Sequence, residues 1–183
     1  MHNQLEDKDL YAIGDAPGGQ IRLRLTMNGW ERYTELKRTN LQSRTAFMAM
    51  KFGDAALNRV IRECFKPAVI RTGFELRLLT DEQPAGLIDD QMRAAILSAR
   101  FLIADLTHGS FGAYWEAGFA EGLGLPVIYT CEAARWATSQ THFDTNHMHT
   151  IIWDESKLKE AGDALTATIR ATLRAEAKQV DDG

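Results

Sequence analysis

The sequence predicts an α/β domain: a parallel five-stranded sheet flanked by helices. Three observations carry this. Phe101–Leu106 and Pro126–Cys131 are apolar runs of strand length. Comparable runs recur along the chain with helix-patterned stretches between them, the alternation that makes a parallel sheet covered on both faces. The runs are also nearly continuous in apolar character, as strands buried on two faces must be. The architecture is therefore Rossmann-like, with a small N-terminal strand-helix extension over residues 1–40 and the main domain over 45–179.

The elements follow in order. Residues 1–19 read as irregular, closing on the turn signal Ala16-Pro17-Gly18-Gly19. Ile21, Leu23 and Leu25 alternate with Arg22, Arg24 and Thr26, a half-exposed strand. Asn28 is placed to cap a helix from Trp30 to Leu36. This unit is too small to bury a core and needs a partner surface. Ala46–Met50 is the first buried strand. Leu57, Val60, Ile61, Cys64 and Phe65 mark a helix over 55–70, which Pro67 should bend or end. Phe74–Leu79 is the second strand, and Asp81–Gly86 a polar loop. Helix 87–100, strand 101–106, helix 113–123 and strand 126–131 come next. Thr150–Trp153 is the fifth strand, and 156–177 a closing helix.

At 183 residues the chain suits one domain with a short appendage, and 45% apolar residues suit a water-exposed globular fold. A net charge of −4 argues against binding polymeric nucleic acid. With no long apolar run and no basic-apolar leader, no membrane association is expected and the cytoplasm is the expected location. Cys64 and Cys131 sit in apolar context without metal-ligand spacing and read as buried free thiols.

Chemistry points to Ser110-Phe111-Gly112-Ala113-Tyr114-Trp115-Glu116-Ala117-Gly118-Phe119-Ala120. This stretch opens a helix just past a buried strand, where open α/β sheets bind ligands. Glu116 is the one carboxylate among its small and aromatic residues. It reads either as a solvated helix glutamate or as a nucleophile toward an anomeric carbon or an oxocarbenium-like cation. Asp105, ending the central strand, either points into the crevice and pairs with Glu116, or accepts backbone donors from the loop that follows. Thr107, His108 and Ser110 precede the helix N-terminus and could hold a phosphate there, or serve only as turn and cap. Asp89 and Asp90 could assist a leaving base, or complement the first turn of their helix. Arg77, with Lys51 and Arg71, could offset the acidic site or form ordinary ion pairs. His142, His147 and His149 flank Asp144 and Asn146 in an unusual loop that fits a lid or a subunit contact better than a metal site. No cofactor or metal is expected.

The pattern Ser110-x-Gly112-x-x-x-Glu116-x-Gly118-x-Ala120, after a strand ending Ala104-Asp105, resembles the nucleoside 2-deoxyribosyltransferase superfamily. That superfamily includes the nucleoside 5′-monophosphate N-glycosidases. The order of elements also agrees from Thr45 to Cys131. The resemblance implies that Glu116 is the nucleophile of a covalent sugar-enzyme intermediate, resolved by water or by a second base. It implies phosphate contact at Ser110, beside Gly112, and sugar contacts where the first strand runs out at Met50. It implies a supporting aspartate at Asp89 or Asp90. It further implies a homo-oligomer whose sites are completed by a neighbour, with Asp144 and Asn146 the candidates. The aromatic segments around Trp136, Phe143 and Trp153 either make subunit contacts or fill this subunit's own core. The sequence departs from the family where Met50-Lys51-Phe52-Gly53-Asp54 replaces a glycine-rich stretch. The other function considered is a nucleotide- or NAD-binding signalling domain of the same fold, a fold shared with TIR-like NAD-cleaving domains.

Overall fold

The computed structural model describes residues 10–16, 20–31, 41–79, 88–138 and 149–181. The chain divides into two compact units, Met1–Gln42 and Ser43–Gly183.

In the first unit, β1 (Tyr11–Ala16) pairs antiparallel with β2 (Gln20–Leu25), Tyr11 opposite Leu25 and Ala16 opposite Gln20. The stretch expected to be irregular thus holds a strand. Gly14 and Asp15 are weak strand formers, and a partner across the Pro-Gly-Gly connection overrides that preference. A helical segment, α1, begins at residue 27 and is described to 31. Its cap is Thr26, whose Oγ1 accepts from the Gly29 amide at 3.1 Å. Asn28, the expected cap, lies inside the helix.

The second unit holds β3 (Thr45–Ala49), β4 (Glu75–Arg77), β5 (Phe101–Asp105), β6 (Val127–Glu132) and β7 (Thr150–Trp153). They form one sheet in the order β4-β3-β5-β6-β7, every neighbouring pair parallel. The expected Rossmann-like α/β architecture is therefore present. Side-chain alternation splits the core in two. Ala46, Met48, Met50, Phe101, Ile103, Ile128, Ile151 and Trp153 face one layer, and Phe47, Ala49, Leu102, Ala104, Leu106 and Tyr129 the other.

The first layer comprises α2 (Ala55–Val60), a π-helical turn (Ile61–Phe65), α3 (Lys66–Arg71) and α7 (Leu158–Thr172). Pro67 neither ends nor breaks this path. It falls in the first turn of α3, just after the wider π turn, which relieves the clash of its ring with the carbonyl upstream. The opposite layer comprises α4 (Ile88–Ser98) and α5 (Phe111–Gly122). Ala113, Ala117 and Ala120 let α5 approach the sheet closely.

A six-residue helix, α6 (Ala133–Thr138), follows β6 and was not anticipated. The second strand is shorter than expected because Leu78 and Leu79 leave the ladder to pack against the core clusters. The closing helix ends at Thr172, and the chain beyond it is pinned back. Arg100 Nη2 and Arg44 Nη1 donate to Glu176 at 2.9 Å and 2.7 Å, and the Lys178 amide donates to the Thr72 carbonyl at 2.9 Å. Trp153 is 2% exposed and fills this subunit's own core, so it offers no subunit contact. Among the described residues no helix is long and apolar enough to cross a membrane.

Candidate active site

The strand order reverses between β3 and β5. The chain leaves β3 toward the α2 layer and leaves β5 toward the α5 layer, so a crevice opens at the carboxyl ends of these two strands. Asp54 and His108 stand on its two lips. Asp54 Oδ1 caps α2 by accepting from the Leu57 amide at 2.7 Å. Its Oδ2 lies 3.2 Å from His108 Nε2, an ion-pair distance without hydrogen-bond alignment. His108 was expected near a phosphate; Asp54 is the partner that sequence reasoning missed.

Glu116 lies in the second turn of α5 and is 7% exposed. Among the described residues its carboxylate has no hydrogen-bond or ion-pair partner. Burial alone pushes its pKa up to about 7. Such a group is held part-protonated near neutral pH, poised to give or take charge. Ser110 is the N-cap residue of α5, yet its side chain makes no capping hydrogen bond. Gly112 is exposed in the first turn.

Asp105 is 2% exposed and fully engaged. Its Oδ1 accepts from the Thr107 amide at 3.1 Å. Its Oδ2 accepts from Thr130 Oγ1 at 2.8 Å and from Trp153 Nε1 at 2.9 Å. Burial raises its pKa, and these donors oppose the rise. The expected pairing with Glu116 does not occur, for a reason of strand geometry. Asp105 shares the side of β5 with Phe101 and Ile103, while α5 packs on the side of Leu102 and Ala104. The two carboxylates therefore belong to opposite layers. Thr107 is likewise structural: its Oγ1 accepts from the Glu132 amide and its carbonyl from Arg135 Nε, at 2.9 Å and 3.1 Å.

The remaining candidates scatter. Met50 places its side chain in the core, 4% exposed. Asp89 and Asp90 stand in the first turn of α4; Asp90 is exposed and 3.4 Å from Arg93. Arg93 in turn stands over the Trp115 ring at 5.7 Å, which sets the second turns of α4 and α5 side by side. Arg77 is exposed and pairs with Glu75 at 3.3 Å. It borders a cavity of about 550 Å³ along β3, β4 and α4, whose lining includes Phe47, Gln91 and Ser98 but not Glu116. Arg71 is held by Asp163 and Thr166 of α7 at 3.0 Å and 2.9 Å. Asp144 and Asn146 lie outside the described residues, as do His142 and His147.

No protein-family model matches the chain, and comparison with curated proteins gives no match.

Proposed function

We propose that this chain cleaves the N-glycosidic bond of a nucleoside or nucleoside 5′-monophosphate, with Glu116 as nucleophile. The observation that carries the reading is a buried carboxylate without a partner among the described residues, at the switch point of a parallel sheet. Burial without compensation costs stability, and sites that perform chemistry are where such groups concentrate. In the first step a Glu116 oxygen bonds to the anomeric carbon. The bond to the base breaks, its electron pair leaves with the base, and a proton reaches that base from an acid. Asp89 or Asp90, at the start of the neighbouring helix, is the candidate donor. Water, or a second base, then attacks the anomeric carbon and releases Glu116.

Ser110, free of a capping bond, leaves its hydroxyl and the first amides of α5 available to a 5′-phosphate. This favours hydrolysis of a monophosphate over transfer between nucleosides. The enzyme acts as a homo-oligomer in this reading. Incubation with a panel of nucleosides and their 5′-monophosphates, followed by chromatography for free base, tests it. Base release that disappears in Glu116→Gln is the expected result, and full activity in that variant would overturn the mechanism.

A further inference from the structure

α4 joins β4 to β5, and β3 lies between those two strands, so the helix rides over β3 and leaves the same face of β4 open. Glu75 and Arg77 stand on that face, in register with Thr45 and Phe47 and on the side opposite Leu76. Gln91, Ala94, Ala95 and Ser98 recur at helical spacing and give α4 a flank of mostly small residues toward them. Between this flank and β4 lies the cavity of about 550 Å³, with Leu78 and Leu79 in its wall. Arg93, over Trp115, belongs to the other flank, so the width of α4 separates this trough from α5 and Glu116.

Few polar groups of the trough are left to meet a ligand. Ser98 Oγ donates to the Ala95 carbonyl at 2.9 Å, and Thr45 Oγ1 shares a hydrogen bond with Ser43 Oγ at 3.0 Å. Arg77 Nε and Nη2 both donate to one oxygen of Glu75, Oε2, at 3.4 Å and 3.3 Å. The other oxygen, Oε1, and Arg77 Nη1 take no partner among the described residues. The pair therefore presents an acceptor and a donor side by side, against walls of alanine and leucine. Its charges cancel, which suits a neutral ligand better than an ion.

We propose that this trough is a second binding site, separate from the crevice, for a neutral oxopurine base of the hypoxanthine type. Such a base carries an N–H directly beside a carbonyl. The N–H donates to Glu75 Oε1 while the carbonyl accepts from Arg77 Nη1, and the ion pair stays intact. A cavity of this size takes a flat bicyclic ring, whose faces lie against the alanine and leucine walls. A single-ring base could make the same two bonds but would bury less apolar surface there. A base still attached to a sugar under attack by Glu116 lies across α4, so the two sites do not share a ligand.

Equilibrium dialysis of the full chain against hypoxanthine tests it. Saturable binding with a Kd of about 1 mM or tighter is expected. 1-Methylhypoxanthine, which lacks the N–H, should bind about 10-fold more weakly or worse. Arg77 and Ala94 are both exposed, so Arg77→Ala and Ala94→Trp leave the core untouched. The first removes the donor and the second fills the trough, and each should weaken binding by about 10-fold or more. Glu116→Gln should bind hypoxanthine as the parent does. Absence of saturable binding would overturn the proposal, as would binding that survives both trough substitutions. Binding lost in Glu116→Gln alone would assign the base to the crevice and overturn it too. Base release measured on the same proteins keeps the two questions apart, since the trough uses none of the Glu116 chemistry.

Discussion

His108 Nε2 and Asp54 Oδ2 stand 3.2 Å apart, joining the loop that leaves β3 to the loop that leaves β5. The two loops depart toward opposite layers, so this contact spans the split in the sheet. Asp54 has a second task as the cap of α2, and the substitutions should separate the two. His108→Ala removes only a half-exposed pair and should cost less than about 1 kcal/mol in urea unfolding. Asp54→Ala loses the cap too and should cost about 1 kcal/mol more. Equal losses would mean that the cap contributes nothing.

Glu116 should destabilise the fold at neutral pH. Its pKa is about 7 in the folded chain against 4.5 for an ordinary glutamate. The folded state therefore holds the proton more tightly than the unfolded state. The penalty is absent below the unfolded value, grows as pH rises from there to about 7, and is complete above it. Glu116→Gln mimics the protonated form. It should be more stable than the parent by on the order of 2 kcal/mol at about pH 8, and the gap should close near pH 4. Parallel unfolding curves across this range check it.

The same titration should shape activity. Only the carboxylate can attack an anomeric carbon, so kcat/KM for base release should climb with pH through a limb near 7, the value at which burial holds Glu116. A profile flat from about pH 6 to 8 would remove Glu116 from the nucleophile's role.

Asp105 holds three donors in the interior, and its removal leaves Thr107 N, Thr130 Oγ1 and Trp153 Nε1 unmatched. Asp105→Ala should cost about 3 to 5 kcal/mol, whereas Trp153→Phe, which withdraws one donor and keeps an aromatic ring, should cost about 1 to 3 kcal/mol. Thermal and urea unfolding would rank them, and the reverse order would contradict the network.

Glu176 joins the chain after α7 to Arg100, whose side chain is 12% exposed. Glu176→Ala leaves a mostly buried guanidinium without its carboxylate and should cost about 1 to 3 kcal/mol. Faster proteolysis after Thr172 should accompany it.

The central strands were legible because a strand buried on both faces has to be apolar almost throughout, as Phe101–Leu106 is. Glu116 was legible as the lone carboxylate among alanines, glycines and aromatics. The role of Asp105 was not. Its side of β5 follows from parity with Phe101 and Ile103, yet which layer α5 covers is decided only when the chain chooses a direction out of the strand. Thr130 and Trp153, its donors, sit on strands 25 and 48 residues away. No spacing rule connects them. The Asp54–His108 contact is hidden for the same reason. β1 was missed because Gly14 and Asp15 mask an alternation that only its partner stabilises, and α6 because six residues without a recognisable cap carry little periodicity. Its start was visible in hindsight as Ala133-Ala134, favourable helix formers directly after a strand.

The Asp105 network joins the carboxyl ends of β5, β6 and β7 through one side chain. These strand ends cannot shear past one another without opening it. Breathing at the crevice is thereby left to the β3 side, where Lys51, Phe52 and Gly53 are exposed. A ligand entering beside Glu116 would meet a stationary wall on one side and a yielding one on the other. Amide exchange should be slow at Leu106, whose amide donates to the Thr130 carbonyl at 2.9 Å, and fast across residues 51–53.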